Sequence, residues 1–123
     1  MSEKNYTEID FDSVGAKLRG RLYQSSNAKA PLVVMAHGFT ATAHMSLYKF
    51  AERLAVYGNH ILVYDHRNFG LSDGAPRYAV DQWVQIRGYT DAISAALNMK
   101  DLTSEEIVVW GESMSGAMVQ FVA

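Results

Sequence analysis

The sequence predicts an α/β domain: a mostly parallel sheet with flanking helices, entered through an N-terminal hairpin. Three observations predict it. Short apolar runs recur at Leu32-Val33-Val34-Met35-Ala36, Ile61-Leu62-Val63-Tyr64 and Ile107-Val108-Val109-Trp110. Continuous runs of that length mark strands covered on both faces. Segments of helical periodicity separate them, and such alternation implies parallel strands.

Each element has its own signal. Residues 7–12 and 16–24 alternate weakly, and Asp12-Ser13-Val14-Gly15 between them supplies turn residues, so the spacing predicts a hairpin. Residues 25–30 form a polar connection into the first apolar run, which stops at His37-Gly38-Phe39-Thr40. Leu47, Phe50, Ala51 and Leu54 fall at helical spacing, and Gly58 suits the left-handed stop after such a helix. The second run ends at Asp65, and residues 68–76 are rich in Gly, Ser, Asp and Pro, as loops are. Trp83, Ile86, Thr90, Ile93 and Leu97 then predict the apolar face of a long helix over residues 81–99. Gly88 in its interior costs about 1 kcal/mol relative to Ala, which points to close packing there.

Composition narrows the function classes. The 123 residues are enough for one domain or part of one. A net charge of −2 and scattered Lys and Arg argue against nucleic acid as a partner. The absence of cysteine excludes disulfides, thiolate metal sites and a cysteine nucleophile. No histidine pair at i, i+4 encloses a carboxylate, so no metal or other cofactor is expected. The polar first twelve residues lack a signal-peptide core, and no apolar run is long enough to span a bilayer. The expectation is a cytoplasmic chain with no membrane partner.

The chemistry is expected on one rim. In open α/β sheets, sites form beyond the carboxyl ends of the strands. Those ends carry His37-Gly38-Phe39, Asp65-His66-Arg67 and Gly111-Glu112-Ser113. The last belongs to Gly111-Glu112-Ser113-Met114-Ser115-Gly116, a run that follows a strand and opens a helix. A sharp strand-to-helix turn lifts one serine hydroxyl out as a nucleophile, here Ser113. Two backbone N–H groups are the candidate oxyanion donors: Met114, at the start of the helix, and Phe39, in the loop after the first parallel strand.

Three motifs in order resemble the α/β-hydrolase superfamily, in its serine esterase and aminopeptidase-like branch. His37-Gly38-Phe39-Thr40 resembles the oxyanion loop. Asp65-His66-Arg67-Asn68-Phe69-Gly70-Leu71-Ser72-Asp73-Gly74 is similar to the family's Asp-x-Arg-Gly-x-Gly-x-Ser segment. Gly111 to Gly116 resembles the nucleophile elbow, with Ser115 replacing the second Gly of the strict pattern. Asn68 stands where the family often has Gly, and Asn tolerates positive φ.

The resemblance implies that residues 1–123 are a single incomplete domain of that fold, strands one to five, ending in the helix after the elbow. It implies a serine hydrolase acting on an ester or amide carbonyl of a small acyl substrate by acyl transfer to water. In this family the acid and then the histidine follow the nucleophile. All four histidines, His37, His44, His60 and His66, precede Ser113, and the ten residues after it include no His, Asp or Glu. The acid and base are therefore expected outside this chain, which alone should be nearly inert. The alternative is a non-catalytic hydrolase-like binding protein or an inactive truncated fragment. A nucleotide-binding reading lacks Gly-x-Gly-x-x-Gly after any strand.

Other residues have expected structural roles. His37 should prop the oxyanion loop, and His66 should be structural or solvent-facing. His44 and His60 read as surface or loop residues. Asp65 and Arg67 should form an ion pair that holds their loop. Trp83 and Tyr89 should pack in the core. The outer edge of the fifth strand should favour self-association or pairing with a complementing segment.

Overall fold

The computed structural model of the chain describes residues 5–38, 41–43 and 46–123. The hairpin is built from β1 (Thr7–Ser13) and β2 (Ala16–Tyr23). Val14 and Gly15 turn it with φ of 47° and 76°. Positive φ at both central residues gives the tight turn whose twist matches the strands it joins.

Three further strands follow: β3 (Leu32–Ala36), β4 (His60–Tyr64) and β5 (Ile107–Gly111). The sheet order is β1-β2-β4-β3-β5. β3 pairs in parallel with both β4 and β5, whereas β2 docks on β4 antiparallel, so the sheet is mixed. Gly20 makes that junction possible, because a Cβ there would overlap the backbone of Val63 and Tyr64.

Helices cover both faces: α1 (Leu47–Val56), α2 (Gln82–Leu97) and α3 (Met114–Val122). Side chains alternate along a strand, and β3 and β4 split accordingly. Leu32, Val34, Ala36, Leu62 and Tyr64 pack with Tyr89, Ala92 and Ala96 of α2. Val33, Met35, Ile61 and Val63 pack with Leu47, Tyr48 and Ala51 of α1. Every position of β3 and β4 is buried, as their unbroken apolar runs demand.

The helix faces differ in part from the sequence expectation. α2 begins one residue later, with Asp81 as its cap accepting from the Trp83 and Val84 N–H groups. It seats Gln85, Gly88, Tyr89, Ala92 and Ala96 against the sheet, not the bulkier stripe through Trp83 and Thr90. Small side chains let the helix axis come close, and Gly88 lies against Leu18 and the Tyr64 hydroxyl. Trp83 remains 69% exposed and packs edge-on to Phe121 of α3, with ring centroids 5.5 Å apart. Phe50 of α1, expected inward, is 58% exposed, and Tyr48 is buried in its stead. Gly58 ends that helix with φ 90°.

Candidate functional site

Register brings the three loop-bearing ends level. Ala36 is opposite Tyr64 of β4 and Gly111 of β5, so His37, Asp65 and Glu112 leave the sheet side by side. Phe39 and His44 lie outside the described residues.

Ser113 occupies the turn between β5 and α3 and is exposed. Its backbone has φ 54° and ψ −116°, a conformation that L residues rarely adopt and that the surroundings must hold. Two crossings hold it. The chain folds back so tightly that a Cβ on Gly111 would overlap the backbone of Ser115 and Gly116. On the other side, a Cβ on Gly38 would stand 3.0 Å from both the Glu112 carbonyl oxygen and Ser113 Cβ. Gly111 is needed for steric reasons, and Gly38 keeps the second crossing free of a tight contact. The turn closes through Ser115 N–H to the Glu112 carbonyl at 3.0 Å and Gly116 N–H to the Ser113 carbonyl at 2.9 Å.

What remains free faces outward. The Ser113 side chain makes no capping bond to the helix it precedes. The Met114 N–H, first in α3, meets no acceptor among the described residues. Glu112, beside Ser113, is exposed. Thus a hydroxyl and a backbone donor share the N-terminus of a helix, where developing negative charge is favoured.

Beneath the turn is a buried polar network. His37 donates from Nδ1 to the Gly38 carbonyl at 3.0 Å, and its Nε2 accepts the His66 N–H at 3.0 Å. An imidazole that donates at one nitrogen and accepts at the other is neutral. Burial lowers the His37 pKa in agreement with that. Asp65 Oδ1 stands 3.8 Å from His37 Nε2, so the two are neighbours without forming an ion pair.

His66 is buried, and burial together with the adjacent His37 pushes its pKa down to about 3. Its Nε2 lies 2.8 Å from Ser115 Oγ, and the Ser115 hydroxyl also bonds to the His37 carbonyl. The Tyr89 phenol interacts with the same serine and donates to the Trp110 carbonyl at 2.8 Å. Among the described residues, no histidine or carboxylate hydrogen-bonds to Ser113 Oγ; His37 spends both nitrogens within the network and His66 its Nε2, while His66 Nδ1 is buried without a hydrogen-bond partner among them.

Two sequence expectations fail here. Asp65 does not pair with Arg67. Its carboxylate is fully buried and accepts the N–H groups of Ala43 at 2.7 Å and Leu71 at 3.1 Å, while Gly70 leaves room for it at φ 53°. Arg67 instead reaches the Val14 carbonyl of the hairpin, and the ion pair that ties this loop down is Arg19 to Asp73 at 2.6 Å. Nor is His60 a surface residue. It opens β4 fully buried, with Nδ1 accepting from the Ser25 N–H at 2.9 Å and Nε2 bonded to the Ala28 carbonyl at 3.1 Å. The polar connection before β3 wraps over it, a contact between residues some 30 positions apart that no local pattern announces. Asn68 takes φ 74°, where its tolerance for the left-handed region is used.

Sequence reasoning missed the Ser115–His66 bond. A hydroxyl in a position usually left to glycine was the available signal, but its direction depends on the turn. No group of three or more His, Asp or Glu side chains suited to a metal occurs among the described residues, and no described helix is long and apolar enough to cross a membrane.

The family model described as alpha/beta hydrolase fold matches residues 31–123. The chain is 43% identical to thiohydrolase aneE of Aspergillus aculeatus over 94% of its own length and 36% of that protein. It is 37% identical to the quorum-quenching protein AidA of Acinetobacter baumannii over 91% of the chain and 37% of that protein. The solved structure of DcsB in complex with its substrate analogue superposes with a TM-score of 0.82 at 28% identity, covering 88% of this chain and 37% of that one. The chain therefore spans little more than a third of the length of the relatives it matches. With a family model covering the whole segment from just before β3 to α3, and relatives that align along nearly all of the chain, this chain belongs to the alpha/beta hydrolase family.

Proposed function

We propose that this chain carries the nucleophile and oxyanion half of a serine hydrolase that cleaves an ester, thioester or amide carbonyl. Ser113 attacks the carbonyl carbon, and its proton passes to a histidine supplied from outside these 123 residues. The N–H groups of Phe39 and Met114 receive the oxyanion of the tetrahedral intermediate. Collapse of that intermediate expels the alcohol, thiol or amine, which takes the proton from the histidine. Water, deprotonated by the same histidine, then releases the acid and restores Ser113.

The single observation that carries this reading is the Ser113 backbone at φ 54° and ψ −116°, exposed and clamped between Gly38 and Gly111. Strain of this kind clusters at sites where geometry matters more than stability. A base from elsewhere is needed because His37 has both nitrogens bonded and His66 turns its Nε2 to Ser115, so neither hydrogen-bonds to Ser113. Thioesters enter because the chain is similar to a protein named a thiohydrolase.

A fluorophosphonate probe on the full-length protein tests the proposal. Labelling should fall on Ser113 and vanish in Ser113→Ala. Equal labelling of wild type and variant would refute it. A panel of p-nitrophenyl esters and acyl thioesters then ranks the leaving groups.

A further inference from the structure

We propose that Ser115 and His66 are positioning residues for the Ser113 nucleophile, pinning the inner side of the elbow to the ends of β3 and β4. The proposal rests on the serine-hydrolase reading above.

A hydroxyl offers one proton and two lone pairs. The Ser115 proton goes to the His37 carbonyl oxygen, so the 2.8 Å contact with His66 requires the proton on Nε2. Ser115 thus donates to the end of β3 and accepts from the end of β4. His37 carries the connection onward, since its Nδ1–H holds the Gly38 carbonyl and Gly38 lies against Ser113. A closed path of contacts runs from Ser115 through His37 and Gly38 to Ser113, independent of the peptide chain between the two serines.

Two features separate positioning from mere satisfaction of a core hydroxyl. The crossing at Gly111 meets Ser115 through backbone atoms, so packing there does not need the side chain. And the segments joined by the hydroxyl are the elbow and the His-Gly loop, whose Gly38 lies against Ser113. Loosening that join frees the nucleophile and the Met114 N–H to drift from the geometry that the transition state needs. Such a loss falls on the transition state, hence on kcat more than on KM.

The test uses the full-length protein with p-nitrophenyl acetate. Ser115→Ala should lower kcat about tenfold, the equivalent of one hydrogen bond, with KM within about twofold. His66→Gln keeps a side-chain N–H near Ser115 and should hold kcat within about threefold, whereas His66→Leu should fall as far as Ser115→Ala. Imidazole NMR should show the His66 proton on Nε2 and a changed Nε2–H resonance in Ser115→Ala. Thermal unfolding identifies any variant that fails to fold, and the remaining His66 variants then decide.

A His66 proton on Nδ1 would overturn the proposal. So would a destabilised Ser115→Ala with wild-type kcat, or identical kcat in the two His66 variants. An unreactive Ser113 in the wild type overturns the functional reading and the proposal with it. A reactive Ser113 alongside an indifferent Ser115 overturns the proposal alone.

Discussion

The outer and inner sides of the elbow use the same residue type for opposite ends. Ser113 on the outside is exposed, with a positive-φ backbone and a side chain that caps nothing. Ser115, two residues on, is wholly buried and bonded to both His37 and His66. Residue type alone does not separate them. The reversal of the chain at Gly111 does, by sending alternate side chains to solvent and to the core. Reactivity requires an unspent hydroxyl, and rigidity requires a spent one.

The largest effect should come from erasing the outer serine. In the full-length protein, Ser113→Ala should cost on the order of 10⁶ in kcat, as removal of a nucleophile does in comparable triads, read by turnover of an activated ester. A residual rate within tenfold of wild type would abolish the distinction between the two sides.

Next is the crossing itself. Gly111→Ala forces a methyl into the backbone of Ser115 and Gly116, which cannot yield as a flexible side chain would. A loss of about 1–3 kcal/mol in chemical denaturation is expected, as for overpacked cores, with reduced labelling of Ser113.

The inner side should show itself through pH. His66 has its pKa lowered from 6.5 to about 3, and that of His37 is lowered as well. The unfolded chain binds these protons below about pH 6.5, and the folded chain takes them up only at lower pH. The stabilisation is therefore complete above pH 6.5 and is lost as pH falls toward 3, at about 1.4 kcal/mol per pH unit for His66, with His37 acting in the same direction. His66→Gln should remove one proton's share of that slope in denaturation series, and an unchanged slope would contradict the assignment.

The smallest effect lies away from the rim. A Cβ at Gly88 would meet Leu18 at 3.4 Å and the Tyr64 hydroxyl at 3.5 Å, contacts that ordinary packing accommodates. Gly88→Ala should be neutral or stabilising by up to about 1 kcal/mol through helix propensity. The contrast with Gly111→Ala separates a glycine needed for close backbone approach from one merely seated against side chains.

We also propose that β5 is a site of association. Its side chains at Ile107 and Val108 are 40% and 46% exposed, and among the described residues it pairs only with β3. Sedimentation of the 123-residue chain should show concentration-dependent association that Val108→Lys weakens; a monomer at all concentrations would count against it.

Much of the fold was written in local pattern. The apolar runs located β3, β4 and β5, the turn residues Val14 and Gly15 located the hairpin, and Asp81 and Gly58 marked helix ends within a residue or two. These features depend on neighbours in sequence, where backbone preference and periodicity act directly. The geometry of the candidate site was legible to the same depth: three strand ends, a turn rich in glycine and a serine at its apex.

Other features needed the chain to meet itself. Which stripe of α2 faces the sheet depended on how closely Leu18 and Tyr64 allow a helix to approach, and small residues outcompeted larger ones for that place. Asp65 exchanged the nearby Arg67 for two backbone N–H groups because the loop curls round its carboxylate. His60 and Ser115 were drawn inward by partners about 30 and 50 to 80 residues away. Periodicity and turn chemistry act between neighbours and can be read along the chain; the direction of a buried polar group depends on which distant donors and acceptors arrive beside it, and that exists only once the sheet has closed its register.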